Sequence, residues 1–159
     1  MQGLKRIMAA IDFSQYSAQV IQFAADLARE LRLELVLVNV INQRDVDAVE
    51  MVQRDYAGIS VETFIQSASA ERLELLNRLM AEEAPGAPVP VKRSVRVGVP
   101  FKEILHAVDA EQADLLVMGS KGRGSIAESL FGSTAEKVFR RCPIPLVSVR
   151  PEGHFRQPA

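Results

Sequence analysis

The sequence has no tryptophan, one cysteine and two histidines in 159 residues. A lone cysteine, Cys142, excludes an internal disulfide, so stability must come from a packed core. His106 and His154 stand far apart, without partners at metal-ligand spacing, which leaves no zinc-type motif. Aromatic residues make up 6% of the chain, which argues against a protein that stacks bases on aromatic platforms. A net charge of -1 gives no global field toward nucleic acid or a membrane surface. The longest apolar stretches, such as "LVLVNVI", fall far short of the ~20 residues that span a bilayer. The opening "MQGLKRIMAAIDFS" meets Asp12 too soon for a secretory leader. No Gly-x-Ser-x-Gly elbow occurs. These absences point to a cytoplasmic protein with no nucleic-acid partner and no membrane insertion.

What is present is an ordinary globular composition, 48% apolar and 25% charged, in a chain long enough for one domain. Residues 4–11 read as a strand ending at Asp12. Ser14 stands where its hydroxyl would cap a following helix, and Val20, Ile21, Ala24, Ala25, Ala28 and Leu31 recur at helical spacing. Residues 33–41, "LELVLVNVI", are too continuously apolar for a half-exposed strand. Residues 42–62 are ambiguous, with "VDAVEMVQRDY" able to form a short helix. Residues 64–83 predict a helix with Leu73, Leu76, Leu79 and Met80 inward, broken by "APGAP". Residues 89–97 alternate in polarity, with Pro88 and Pro90 at the start, which marks an edge strand. Gly98 and Pro100 open a helix whose Ile104, Leu105 and Val108 face inward. "DLLVMG" is short and apolar, hence a central strand. "STAEKVFRRC" is a helix stopped by Pro143. The last strand begins at Ile144 and runs to Arg150, and Pro145 marks it as an edge. Residues 151–159 read as a disordered tail, so residues 1–150 form the single domain.

Strands that alternate with helices imply a parallel sheet covered on both faces. With residues 4–11 and 114–119 central and the two proline-marked strands at the edges, the simplest order is 3-2-1-4-5. The chain then reverses direction between strands 1 and 4, and ligands bind at such a switch point, outside the carboxyl ends of the strands. Asp12 and Gly119 both fall there.

Gly119 opens the pattern Gly119-x2-Gly122-x9-Gly132-Ser133-Thr134. Glycines allow ligand oxygens to approach backbone N–H groups. Gly132, Ser133 and Thr134 open the next helix, whose free N–H groups and dipole favour an anion. Lys121 and Arg123 add charge. The loop thus has two anion-binding ends, suited to a di- or triphosphate. A Walker A loop fails, because Ser125 and Ile126 stand where lysine and a hydroxyl are required. "GRGSIA" matches a dinucleotide fingerprint, but lies after the wrong strand, with no acid ending the next one. The bland alternative is that the glycines only close turns, with "STAE" as a capping box from Ser133 to Glu136.

The glycine spacing, with "GSKGRG" before it and "EKVFRRCPIPLVSVRP" after it, resembles the nucleotide-binding branch of the universal stress protein family. "RIMAAIDFSQYSAQVIQFAADLA" is similar to that family's opening strand, aspartate and helix. The likeness runs from Leu4 to Arg150 and is weakest over residues 42–90. It implies a Rossmann-like three-layer α/β/α sandwich with a five-stranded parallel sheet in the order 3-2-1-4-5. It also implies ATP as ligand, with Mg²⁺ as its companion ion. Ala10, Ile11 and Asp12 would lie beside the nucleotide, and Asn39, Val40 and Ile41 would meet adenine through backbone groups. Met118 would border the nucleotide, Gly119, Ser120, Gly122 and Arg123 would line ribose and phosphates, and Gly132, Ser133 and Thr134 would bind the phosphates. Ala10 stands where some members have proline.

The resemblance further implies a homodimer through the last strand, Ile144 to Arg150, the alternative being that the tail "PEGHFRQPA" folds over that edge, and a stress-linked regulator or sensor acting on an unidentified protein partner. The alternatives are a slow ATP hydrolase or phosphotransferase, and a nucleotide-free interaction module. Against catalysis, Asp12 is the only acid placed at the site, and no general base is evident. Asp12 as a phospho-acceptor lacks the acidic cluster that role needs, and its bland reading is a bond to the local loop. His106 reads as a surface residue, His154 as inert, and Cys142 as packed near the sheet. Arg140 and Arg141 suit the last turn of their helix.

Overall fold

The computed structural model describes residues 3–87, 89–122 and 131–151. Among the described residues five strands and five helices follow one another as β1 (Arg6–Ala10), α1 (Ser17–Leu31), β2 (Glu34–Asn42), α2 (Gln43–Asp55), α3 (Val61–Glu83), β3 (Val91–Gly98), α4 (Pro100–Ala110), β4 (Leu115–Gly119), α5 (Ser133–Arg141) and β5 (Leu146–Val149). The strands form one parallel sheet in the order β3-β2-β1-β4-β5, as the sequence pattern predicts. Of the expected tail, residues 151–159, all but Pro151 lies outside the described residues.

Period-two alternation assigns each strand residue to one of two cores. Ile7, Ala9, Leu35, Leu37, Leu115 and Val117 face α1 and α3. Met8, Val36, Val38, Leu116 and Met118 face α4 and α5. Both faces of β1, β2 and β4 are therefore covered, which is why those strands are apolar without a break. A smaller cluster of Ile41, Val46 and Ala68 sits where α2 and α3 meet β3. Cys142 packs half-buried against the α4–α5 side, and Arg140 and Arg141 lie in the last turn of α5.

Several local expectations are corrected. The ambiguous stretch contains a full helix, α2, capped by Asn42, whose side chain accepts from the Arg44 amide. Ser14 does not cap α1: Tyr16 holds that position without a side-chain bond. Ser14 instead accepts the Tyr16 amide at 3.3 Å. Leu31 is 47% exposed. The chain turns at left-handed Arg32, and the Leu33 amide reaches back to the Ala28 carbonyl at 2.8 Å. Leu33 thereby takes the buried place that simple periodicity gives to Leu31. On α3, Leu76 and Met80 are buried, but Leu73 is 38% exposed. The inner stripe of α3 runs Val61, Ile65, Ala68, Arg72, Leu76, Met80, so an arginine occupies the position one turn before Leu76. The "STAE" capping box does not form either. Gly132 is the residue that begins α5, and Ser133 is already helical, with no side-chain cap.

Candidate functional site

A cleft of about 340 Å³ opens at the carboxyl ends of β1, β2 and β4. It lies where β1 leads to α1 on one face and β4 leads toward α5 on the other, which is the switch point of the sheet. Of the expected site residues that are described, all but Ser120 and Ile41 border it. Ser120 is buried beside it, and Arg123 lies outside the described residues. Ile41 turns into the core beneath α2 and α3 and does not line the cleft.

The end of β1 supplies Ala10, Ile11 and Asp12. Phe13 follows with φ 58°, a left-handed conformation unusual for a bulky residue. The turn is held by Asp12, whose Oδ1 accepts the Ser14 amide at 3.0 Å and the Ser17 hydroxyl at 3.2 Å. Its other oxygen faces the glycine loop. A Cβ built on Gly122 would stand 2.3 Å from Asp12 Oδ2. Any side chain at position 122 would push that carboxylate away, so glycine there is a condition of the contact. The loop-bonding reading of Asp12 is thus observed, in a residue that also borders the cleft.

The end of β2 supplies Asn39 and Val40. The β1–β2 ladder stops at Ala10 and Val38, apart from one more bond from the Ile11 amide to the Val38 carbonyl at 2.8 Å. Beyond it the Ile11 carbonyl accepts the buried Asn39 side-chain amide at 2.7 Å. Because Val38 turns its backbone toward β1, Val40 turns its own the same way, past the point where β1 has ended. Arg72 Nη1 donates to Asn39 Oδ1 at 2.8 Å and to the Val40 carbonyl at 3.2 Å.

The end of β4 supplies Met118, Gly119, Lys121 and Gly122, and α5 supplies Gly132, Ser133 and Thr134. A Cβ on Gly119 would come within 2.9 Å of the Lys121 carbonyl. The Ser120 amide donates to the Val149 carbonyl at 2.9 Å, and its carbonyl accepts the Gly132 amide at 2.8 Å. Ser120 therefore fastens the start of α5 to the sheet and does not line the cleft. Among the described residues no side chain caps the leading amides of α5, and the first residues of the helix border the cleft. Uncapped N–H groups together with the dipole make an anion seat.

Arg72, Asp45, Asn42, Tyr16 and Ser17 also border the cleft, and sequence reasoning did not select them. A signal existed for Arg72, a charged residue inside an apolar stripe. Among the described residues no group of three or more His, Cys, Asp or Glu could hold a metal. A magnesium ion here would rest on phosphate oxygens and water with at most Asp12, a usual arrangement for that ion. The exposed His106 lies 3.2 Å from Glu103 Oε1, and neither residue borders the cleft. At the opposite end of the sheet, Asp114 accepts the amides of Lys5 and Arg6, which hold its carboxyl below the ordinary carboxylate value.

The model of the universal stress protein family matches residues 3–150. A universal stress protein of Thermus aquaticus, encoded beside a sulfhydrylase, is 32% identical over 147 residues, covering 92% of this chain and 98% of its own. A universal stress protein solved in complex with cAMP superposes with a TM-score of 0.66 at 20% identity, covering 94% of this chain and 98% of its own. One from Archaeoglobus fulgidus, in complex with dAMP, gives 0.59 at 19% identity, with 93% and 98% covered.

Proposed function

The chain belongs to the universal stress protein family, and from that premise we propose that it is a regulator or sensor that binds ATP in the switch-point cleft. The observation that carries this reading is the uncapped start of α5 facing Gly122 and Asp12 across one cleft. A helix start with free amides takes a phosphate, and a glycine held against a carboxylate leaves no side chain in its way. Two structural neighbours hold cAMP and dAMP. Adenine, a pentose and one phosphate are common to both, and ATP likewise carries adenine, a pentose and an α-phosphate.

On this reading the base lies at Val40, the ribose near Asp12, and the phosphates between Gly122 and Gly132 to Thr134. Mg²⁺ would neutralise the phosphates there. Asp12 is engaged by Ser14 and Ser17, which supports a switch ligand over a hydrolysed substrate. The protein would act in the cytoplasm as a homodimer, with nucleotide occupancy altering the surface offered to a protein partner.

The test is purification followed by analysis of any co-eluting nucleotide, then titration with Mg-ATP by calorimetry. ATP binding by the native protein and its loss in Gly122→Val are expected. No binding, with Gly122→Val indistinguishable from the native chain, would overturn the reading and leave an interaction module.

A further inference from the structure

The ladder between β1 and β2 ends one bond early, and a side chain takes the place of the missing bond. The peptides of β2 that face β1 are those of residues 34, 36, 38 and 40. The Glu34 amide bonds the Lys5 carbonyl at 2.9 Å, and the Ile11 amide bonds the Val38 carbonyl at 2.8 Å. In a parallel pair this alternation makes the Val40 N–H the next donor, with the Ile11 carbonyl as its acceptor. The register stops at Ala10 and Val38, and that bond is not made. The Ile11 carbonyl accepts the Asn39 side-chain amide instead, at 2.7 Å. Asn39 is 2% exposed, and its orientation is fixed from both ends. The Ile11 carbonyl can only accept, and the Arg72 guanidinium, bonded to Asn39 Oδ1 at 2.8 Å, can only donate. Val40 borders the cleft, and among the described residues its N–H has no hydrogen-bond partner.

We propose that Asn39 opens the base site: by occupying the Ile11 carbonyl it keeps the Val40 N–H out of the sheet and offers it to an unprotonated ring nitrogen of a bound base, as adenine presents at N1. The inference rests on the reading of the cleft as a nucleotide site with the base at Val40, and it adds the residue that creates the donor there. The Val40 carbonyl stays usable beside that donor, since a carbonyl has two lone pairs and Arg72 takes one, at 3.2 Å. Val40 can therefore receive N1 and the 6-amino group of adenine together. Ile11 is 3% exposed. Without the Asn39 amide its carbonyl would be buried with no donor, which is costly. The donor that the register offers it is the Val40 N–H. The strands are already aligned through the Ile11 amide, so the ladder would advance by one bond and withdraw that N–H from the cleft.

The experiment is calorimetric titration of the full chain with the Mg²⁺ complexes of ATP and 1-deaza-ATP, in which a C–H replaces N1 and the rest of the molecule is the same. The native protein is expected to bind ATP about tenfold tighter than 1-deaza-ATP, the effect of one hydrogen bond. Asn39→Leu, close in size and without a donor, is expected to bind ATP more weakly and to hold the two nucleotides within about twofold of each other. Asn39→Asp keeps the acceptor for Arg72 and removes only the donor to Ile11, and is expected to lose the discrimination in the same way. A native protein that binds the two nucleotides equally overturns the proposal without needing any variant to fold. Either variant, folded and with the native ratio retained, overturns it as well. Those results leave the nucleotide site standing. If the native chain binds neither nucleotide, the site itself fails and the role of Asn39 falls with it.

Discussion

Gly119 and Gly122 look interchangeable in the sequence, yet their surroundings separate them. The Cβ of an alanine at 122 would meet Asp12 Oδ2 at 2.3 Å, the end of an exposed side chain. That carboxylate can yield only by disturbing its bonds to Ser14 and Ser17, so Gly122→Ala should cost about 1 kcal/mol, while removing the contact that shapes the loop. At 119 the Cβ would meet the Lys121 carbonyl at 2.9 Å. Backbone cannot swing aside, and Gly119→Ala should cost about 1–3 kcal/mol. Denaturant unfolding and ATP titration on both variants check this. Gly122→Ala is expected to lose ATP affinity with a near-native midpoint, and Gly119→Ala to lose midpoint first. The reverse order would mean that the 122 position is structural and Asp12 rigid. The residue types were legible from the sequence, since glycines after a central strand mark a close approach. Which atom each glycine approaches was not, because Asp12 and Gly122 are distant in the chain and meet only through the β1–β4 pairing.

At the scale of elements, continuous apolar runs made β1, β2 and β4 legible, and alternation with proline made β3 legible. The stripe of α3 was misread because Leu73 and Arg72 are neighbours and hydrophobicity favoured the leucine. Tertiary demand decided otherwise: the position facing Asn39 and Val40 needs a donor. Leu76→Ala should therefore cost about 2–5 kcal/mol, since Leu76 is fully buried. Leu73→Ala should stay within about 0.5 kcal/mol. Equal losses in urea unfolding would contradict the stripe. The α2 helix escaped because its residues are mostly polar, with only Val46 buried. The junction of β1 and β4 allows a pH prediction. Amides of Lys5 and Arg6 lower the Asp114 pKa in the folded state. A lowered folded pKa means that the native state favours the ionised carboxylate. Its stabilisation is complete above the unfolded pKa and is lost as pH falls through the folded one. Asp114→Asn should melt below the native chain at pH 7, and the gap should close as the pH drops below about 4. A gap independent of pH would remove the carboxylate's charge from the account.

At the scale of the whole molecule the two sheet edges are unlike, and that difference bears on self-association. Lys92, Arg93 and Arg96 stud β3, and charge along an edge strand resists pairing with another chain. β5 carries no charge between Leu146 and Val149. Its side chains are already used inward: Leu146 packs on the α4–α5 side, Val147 and Val149 on the α1–α3 side. What β5 has left to offer is backbone. The Leu116 amide bonds the Pro145 carbonyl at 3.0 Å and the Ser120 amide bonds the Val149 carbonyl at 2.9 Å. Residues 145, 147 and 149 therefore turn their peptide groups toward β4, and Leu146 and Ser148 turn theirs outward. A homodimer through this edge would depend on the Ser148 amide. Proline is tolerated on edge strands where the missing N–H faces outward, so Ser148→Pro should fold and yet run as a monomer, while the native chain runs as a dimer at tens of micromolar. Ser148→Ala is the control. The Ser148 hydroxyl is enclosed without a hydrogen-bond partner, so its removal should leave the dimer intact and stability unchanged or raised by about 1 kcal/mol. Sedimentation or light scattering reads the outcome. A native monomer at that concentration, or a Ser148→Pro variant that stays dimeric, would show that the outer edge of β5 is not the interface.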